Sequence, residues 1–157
     1  MSATATSRSW TTGARAAFPF SNFEPVDGLE LDGTPYPTAE HLFQALKTDD
    51  LESRERVRTA RTPAAAKRLG RRVPLREYWD DVKLTVMMTV LRRKFRLEKF
   101  RSRLLAWDGP IVETTTWHDT YWGICVCARH GGTGENHLGR LLAELRADLL
   151  AEAEAAR

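Results

Sequence analysis

Two stretches of this chain repeat their apolar residues at the spacing of a helix face, and they restrict the fold more than any other feature. From about Leu75 the residues Trp79, Val82, Val86, Val90 and Phe95 form one stripe, widened by Met87 and Leu91. From Asn136 to about Ala153 the residues Leu138, Leu141, Leu142, Leu145, Leu149 and Leu150 form another. A further helix around Leu97–Ala106 offers Phe100, Leu104 and Leu105 to a core before Asp108-Gly109-Pro110 ends it. Shorter helices are marked by their ends. Thr38 follows Pro37 and caps a helix over Ala39–Lys47, a basic helix covers Arg54–Arg61, and Thr62-Pro63 opens a helix that Gly70 closes at C′. Strand signals are few. Leu29–Tyr36 reads as a hairpin around Asp32-Gly33, with Pro35 keeping it an edge. Ile111–Thr116 and Ile124–Ala128 read as strands on either side of an aromatic loop, Trp117–Gly123, and a loop follows at His130–Gly134. The expected class is mainly α with a small β element (α+β), in one compact domain.

A chain of 157 residues is long enough for one domain with a core and short for two with a linker. Residues 1–17, rich in Ser, Thr and Ala, read as a flexible N-terminal tail, 18–150 as the domain, and 151–157 as a frayed C-terminal end. No run of about 18 apolar residues is present, and the N-terminal stretch carries no apolar signal-peptide core. The expectation is a cytoplasmic protein with no membrane partner; the sequence leaves the oligomeric state open. Cys125 and Cys127 stand one residue apart, too short a loop to bridge without strain, so both are expected as thiols.

The net charge of +3 conceals a segregation. Between Arg54 and Arg103 stand 17 Lys and Arg against 5 Asp and Glu, which leaves the rest of the chain acidic. Such a basic middle fits phosphates or a polynucleotide, and it equally fits solvated helix faces.

The common catalytic motifs are missing. GGTGEN lacks the Lys-Ser/Thr of a P-loop, no Gly-x-Ser-x-Gly occurs, and neither cysteine has an obvious base beside it. Cys125, Cys127, His130 and His137 are potential zinc ligands, but their spacing lacks the gaps of the usual knuckles, so neither a metal nor a cofactor is expected. Carboxylates among aromatics remain. Glu40 opens a helix beside His41, with Gln44 and Lys47 one and two turns on; Asp119 lies among Trp117, Tyr121 and Trp122; Glu113 sits on a strand. This suits cleavage of a glycosidic bond, where a carboxylate stabilises an oxocarbenium-like sugar and aromatic faces hold a flat base. Each residue also has a structural reading: Glu40 as a first-turn acid, Asp119 as a turn former, the tryptophans as core.

At these residues the sequence resembles a known family. FSNFEP, LDGTPYPTAEHLFQALK, the stretch from Ser53 into LGRRVPLREYWDDVKLTVMMTVLRRKF, IVETTTWHDTYWG and GENHLGRLLAELR are similar to the successive blocks of the NADAR (NAD- and ADP-ribose-associated), or YbiA-like, family, over about residues 18–150. The resemblance implies a compact, mainly helical N-glycosidase acting on ADP-ribose attached to guanine in nucleic acid, or on ribosylamino-pyrimidine phosphates of riboflavin synthesis. It places the family's acid on Glu40, with Gln44 and Lys47 after it, Trp79 and Lys83 on the long helix, and Lys94 in the Lys-Phe pair. Asp119, Trp122 and Gly123 match its Asp-x-x-Trp-Gly, Asn136 its closing Asn-x-Leu-Gly, and Asn22 and Phe23 its Ser-Asn-Phe. After Gly123, where many relatives have a Gly/Asp-rich turn, this chain has Ile-Cys-Val-Cys-Ala-Arg-His.

Two mechanisms follow from the resemblance. Either Glu40 or Asp119 stabilises the sugar cation and positions water, or a lysine, Lys47 or Lys83, attacks the anomeric carbon and forms a Schiff base with the opened ribose. The expected binding set is Asn22, Phe23, Gln44, Trp79, Lys94, Trp122, Gly123 and Asn136. The leading substrate is ADP-ribosylated guanine in nucleic acid, the alternative a phosphorylated N-riboside. A reading of another class is a non-catalytic sensor of ADP-ribose or NAD.

Overall fold

A computed structural model describes residues 20–157 and the backbone of Trp10–Thr11; the remaining residues of the expected tail at 1–17 lie outside the described set. The elements in chain order are β1 (Trp10–Thr11), β2 (Glu30–Leu31), β3 (Thr34–Pro35), α1 (Ala39–Ala45), α2 (Leu51–Arg58), α3 (Pro63–Gly70), α4 (Trp79–Phe95), α5 (Glu98–Leu105), β4 (Ile111–Val112), β5 (Thr114–Thr115), β6 (Ile124–Cys125) and α6 (His137–Ala155). Helices dominate and the strands are two-residue pairs, so the mainly α class with a small β element holds. No described helix is long and apolar enough to cross a membrane. Chain contacts divide into two units, Ser21–Ser102 and Arg103–Arg157 with the N-terminal residues through Phe20.

In the first unit the hairpin forms as expected: β2 and β3 pair antiparallel, Leu31 opposite Thr34, around Asp32 and Gly33 at φ 50° and 77°. Thr38 caps α1, its hydroxyl accepting from the His41 amide. The basic helix starts before the expected Arg54, because Asp50 accepts from the Ser53 amide and caps it at Leu51. Thr62 and Pro63 open α3 as read, but Gly70 belongs to the helix and is not its C′ residue. Its missing side chain has another reason: a Cβ there would lie 2.0 Å from Gln44 Oε1 and 2.8 Å from Gln44 Cβ. The long helix begins at Trp79, since Tyr78 takes a left-handed φ of 57°. Leu42, Val57, Val90, Leu91 and Phe95 have essentially no exposed surface and form the centre of this unit.

In the second unit the expected strand over Ile111–Thr116 is split into β4 and β5. Glu113, between them, gives its amide to Asn136 Oδ1, 2.9 Å away. β1 pairs parallel with β4, so Trp10–Thr11 belong to a strand although the tail reading covers them. β5 pairs parallel with β6, which ends at Cys125 where the sequence suggests strand to Ala128. α6 buries Leu138, Leu142, Leu145 and Leu149 and continues to Ala155, through most of the segment expected to fray.

Candidate functional site

α1 breaks the rule that a helix in a small domain has a polar, solvated face. All seven of its residues, Ala-Glu-His-Leu-Phe-Gln-Ala, are buried. Hydrophobic burial accounts for Leu42 and Phe43, so the question is what Glu40, His41 and Gln44 do inside.

His41 is structural. Its Nδ1 lies 2.8 Å from the Thr38 hydroxyl and its Nε2 3.0 Å from the Ala60 carbonyl, a pattern satisfied when Thr38 donates to Nδ1 and Nε2–H donates to Ala60. The ring ties α1 to the residue before Arg61.

Glu40 differs. Its carboxylate is 6% exposed, and Gln44 Nε2 donates to Oε1 at 2.8 Å. Burial pushes its pKa above the ordinary carboxylate value; Lys67, the Gln44 amide and Lys47 oppose that rise. Lys47 shows the complementary effect. Burial lowers its pKa, the Glu40 charge raises it, and Lys67 and Arg71 lower it further. Glu40, biased toward its protonated form, and Lys47, biased toward its neutral form, therefore lie within electrostatic reach of each other.

Around this pair the structure gathers several of the expected residues. The Glu40 amide donates to the Asn22 carbonyl at 2.9 Å, which fixes the Ser-Asn-Phe segment against the start of α1. Asn22 is 8% exposed, its Nδ2 reaching only the Met87 sulfur at 3.5 Å. Among the described residues, Asn22 Oδ1 and Gln44 Oε1 are buried acceptors with no hydrogen-bond partner. Phe23 is 40% exposed and has Lys67 Nζ 5.9 Å from its ring centroid. Lys67 was not singled out from the sequence. Its only signal there was its place in the basic middle of the chain, on the helix opened by Thr62-Pro63, and α3 approaches Gln44 closely because Gly70 has no side chain.

Other expected residues have different surroundings. Trp79 is 9% exposed and packs on Phe43 with ring centroids 5.5 Å apart, so its indole lies in the core. Lys83 forms an ion pair with Asp80 at 2.9 Å. Lys94 is fully buried, donates to the Ser21 carbonyl at 2.7 Å and stands 4.9 Å from the Phe100 ring centroid. Burial pushes its pKa down to about 8. It acts on the site by holding the segment that carries Asn22 and Phe23.

The second unit carries the Asp-x-x-Trp-Gly and Asn-x-Leu-Gly residues, and there the turn-forming reading of Asp119 is realised. Asp119 Oδ1 accepts from the amides of Tyr121 and Trp122 at 3.1 and 2.9 Å. Trp122 is half-buried, and its carbonyl accepts from the Leu138 amide at 3.0 Å. Gly123 is buried, and a Cβ there would lie 2.6 Å from the Glu113 carbonyl. Asn136, at φ 52°, accepts from Glu113 and donates to the Ile111 carbonyl at 3.0 Å, tying β4 to α6. Of the four potential zinc ligands in the sequence, Cys125, Cys127 and His130 converge, but His137 does not. His137 pairs with Glu135, whereas His118 joins Cys125, Cys127 and His130.

Comparison with known proteins places these residues in context. The family model described as the NADAR domain matches residues 9–150. The N-glycosidase YbiA of Escherichia coli is 42% identical over 136 residues, covering 85% of this chain and 82% of that protein. A riboflavin biosynthesis protein of Vibrio vulnificus is 33% identical over 132 residues, which cover 82% of this chain and 35% of the larger protein. The solution structure of E. coli YbiA superposes with a TM-score of 0.70 at 41% identity, over 85% of this chain and 79% of that one.

Proposed function

The chain belongs to the NADAR family, and from that premise we propose that it is a hydrolase of N-glycosyl bonds whose substrate is ADP-ribosylated guanine in nucleic acid. The observation that carries the site is the buried Glu40 carboxylate, bonded to Gln44 and flanked by Lys47 and Lys67. The relationship to proteins named N-glycosidase over most of the chain supports the reaction class. The substrate assignment draws on charge. Lys67 acts electrostatically on both Glu40 and Lys47, and Arg71 on Lys47, so two further cations stand near this pair to hold a diphosphate. The exposed Arg61, Arg68 and Arg72 of the same unit extend that charge toward a polynucleotide.

In the proposed course the ribose hydroxyls donate to the unpartnered Asn22 Oδ1 and Gln44 Oε1, and Phe23 stacks on a base. Protonated Glu40 gives its proton to the ribose ring oxygen as the ring opens, and the neutral Lys47 amine adds to the anomeric carbon. The guanine nitrogen leaves carrying a proton, which produces a Lys47 iminium. Water then hydrolyses the iminium, releasing ADP-ribose and restoring both side chains. Lys47 is preferred over Lys83 because Lys83 is paired with Asp80, whereas Lys47 combines a lowered pKa with the Glu40 neighbourhood.

A second substrate reading rests on the riboflavin biosynthesis relative: a ribosylamino-pyrimidine phosphate at the same residues. Incubation with an ADP-ribosylated oligonucleotide and, separately, with that pyrimidine phosphate separates the two by which one releases its sugar. Binding of ADP-ribose with release from neither overturns the enzymatic reading in favour of a sensor. Borohydride added during turnover should trap a covalent adduct at Lys47. Full turnover by Lys47→Ala would remove the Schiff-base step.

A further inference from the structure

The segment after Gly123, where the sequence departs from its relatives, holds a cluster that the glycosidase chemistry does not use. Cys125 Sγ and Cys127 Sγ lie 3.2 Å apart, Cys127 Sγ is 3.3 Å from His118 Nδ1 and 3.2 Å from His130 Nδ1, and the two Nδ1 atoms are 3.4 Å apart. All four atoms lie within 4.8 Å of one another. We propose that His118, Cys125, Cys127 and His130 form a structural zinc site of Cys2His2 type, with both histidines ligating through Nδ1.

Cys127 Sγ approaches three potential ligand atoms at once, the convergence that a shared metal ion requires. A tetrahedral zinc with bonds of about 2.3 Å to sulfur and about 2.0–2.1 Å to nitrogen holds its ligand atoms roughly 3.3–3.8 Å apart, near the 3.2–3.4 Å of four of the six pairs, and small side-chain adjustments would bring in the rest. Two thiolates cancel the charge of the ion, so the site fits a segment with no carboxylate in the cluster. Four protein ligands leave no open position, which assigns the site to structure and not to catalysis.

The backbone is shaped for this arrangement. His118 adopts a left-handed φ of 67°, sparsely populated for a residue with a Cβ. The Cys127 carbonyl accepts from the amides of both His130 and Gly131, the Cys125 carbonyl from Gly132, and Cys125 N–H donates to Thr133. These bonds fold 125–133 into a tight knuckle that returns His130 to the cysteines. Spacing alone hid the site because His118 precedes Gly123, on the far side of β6 in sequence. An ion would cross-link the start of the aromatic loop to the knuckle and so fix Asp119 and Trp122, which lie just after His118.

The test is metal binding by the full chain, independent of any substrate. Protein purified without added metal or chelator should carry about one zinc equivalent by elemental analysis. After removal of that metal under reducing conditions, cobalt(II) should titrate to about one equivalent, with the thiolate charge-transfer bands and intense visible absorption of a tetrahedral site. His118→Ala changes an exposed side chain and should keep the native circular dichroism while binding less than about half an equivalent. His137→Ala should bind like wild type. Folded wild-type protein that carries no zinc and gives no thiolate–cobalt bands would overturn the site. Equal cobalt binding by His118→Ala, or its loss in His137→Ala, would overturn the ligand set.

Discussion

Replacing Gly70 by alanine tests whether the approach of α3 to Gln44 positions Glu40. In a helix interior alanine is favoured over glycine by up to about 1 kcal/mol, so a helix free of contacts would gain stability. Here the new Cβ would meet Gln44 Oε1 at 2.0 Å and Gln44 Cβ at 2.8 Å. The first overlap is relieved by swinging the amide away, which breaks the 2.8 Å bond from Gln44 to Glu40. The second involves an atom fixed to the α1 backbone, so the two helices must separate. Overpacking of this kind costs about 1–3 kcal/mol, leaving a net loss of up to about 2 kcal/mol after the full helix-propensity gain. Urea denaturation read by circular dichroism measures that loss. The Gln44 bond lowers the Glu40 pKa, so its removal should shift the limb of the rate profile that reports Glu40 to higher pH. A Gly70→Ala protein as stable as wild type, or more so, with an unmoved pH profile would refute the packing argument.

Glu40→Gln should retain ADP-ribose binding and lose about a hundredfold or more in turnover, as expected for a proton donor in the transition state; calorimetric binding and single-turnover release distinguish the two effects. Turnover should be bell-shaped in pH, because the addition needs protonated Glu40, whose pKa is raised by burial, together with neutral Lys47, whose pKa is lowered by burial; the trapped adduct should follow the same curve. Lys94 gives a stability prediction. Its folded pKa of about 8 lies below its ordinary 10.5, so the unfolded chain binds more protons between these values. Stability should therefore rise across that window by about 3 kcal/mol, and Lys94→Met should abolish the rise in urea denaturation. Asp50→Ala removes the cap that starts α2 and should cost about 1 kcal/mol in the same assay.

Local chemistry made most of the fold legible. Thr38, Thr62 with Pro63, and the Asp32-Gly33 turn act on amides within a few residues of themselves, so their effects are written in adjacent letters. The same locality explains the boundary differences. Tyr78 enters the left-handed region and Asp50 serves as a cap without a strong sequence pattern beyond its neighbours. Helical spacing placed Glu40, Gln44 and Lys47 on one stripe of a helix expected to reach Lys47, whereas α1 ends at Ala45, and no period or motif marked that helix as wholly buried.

What the sequence determined by itself was the set of helices, the turn at Asp32-Gly33 and most of the residues of the proposed glycosidase site. Tertiary structure decided which of them share an environment. Burial opposes charge on both Glu40 and Lys47, and it arises only when α1 is enclosed by its neighbours. Lys67 meets Glu40 because a glycine on α3 yields to a glutamine on α1. His118 meets Cys125, Cys127 and His130 because the loop between them doubles back. Desolvation and ligand convergence depend on distance in space, which a linear sequence specifies only once the chain has folded.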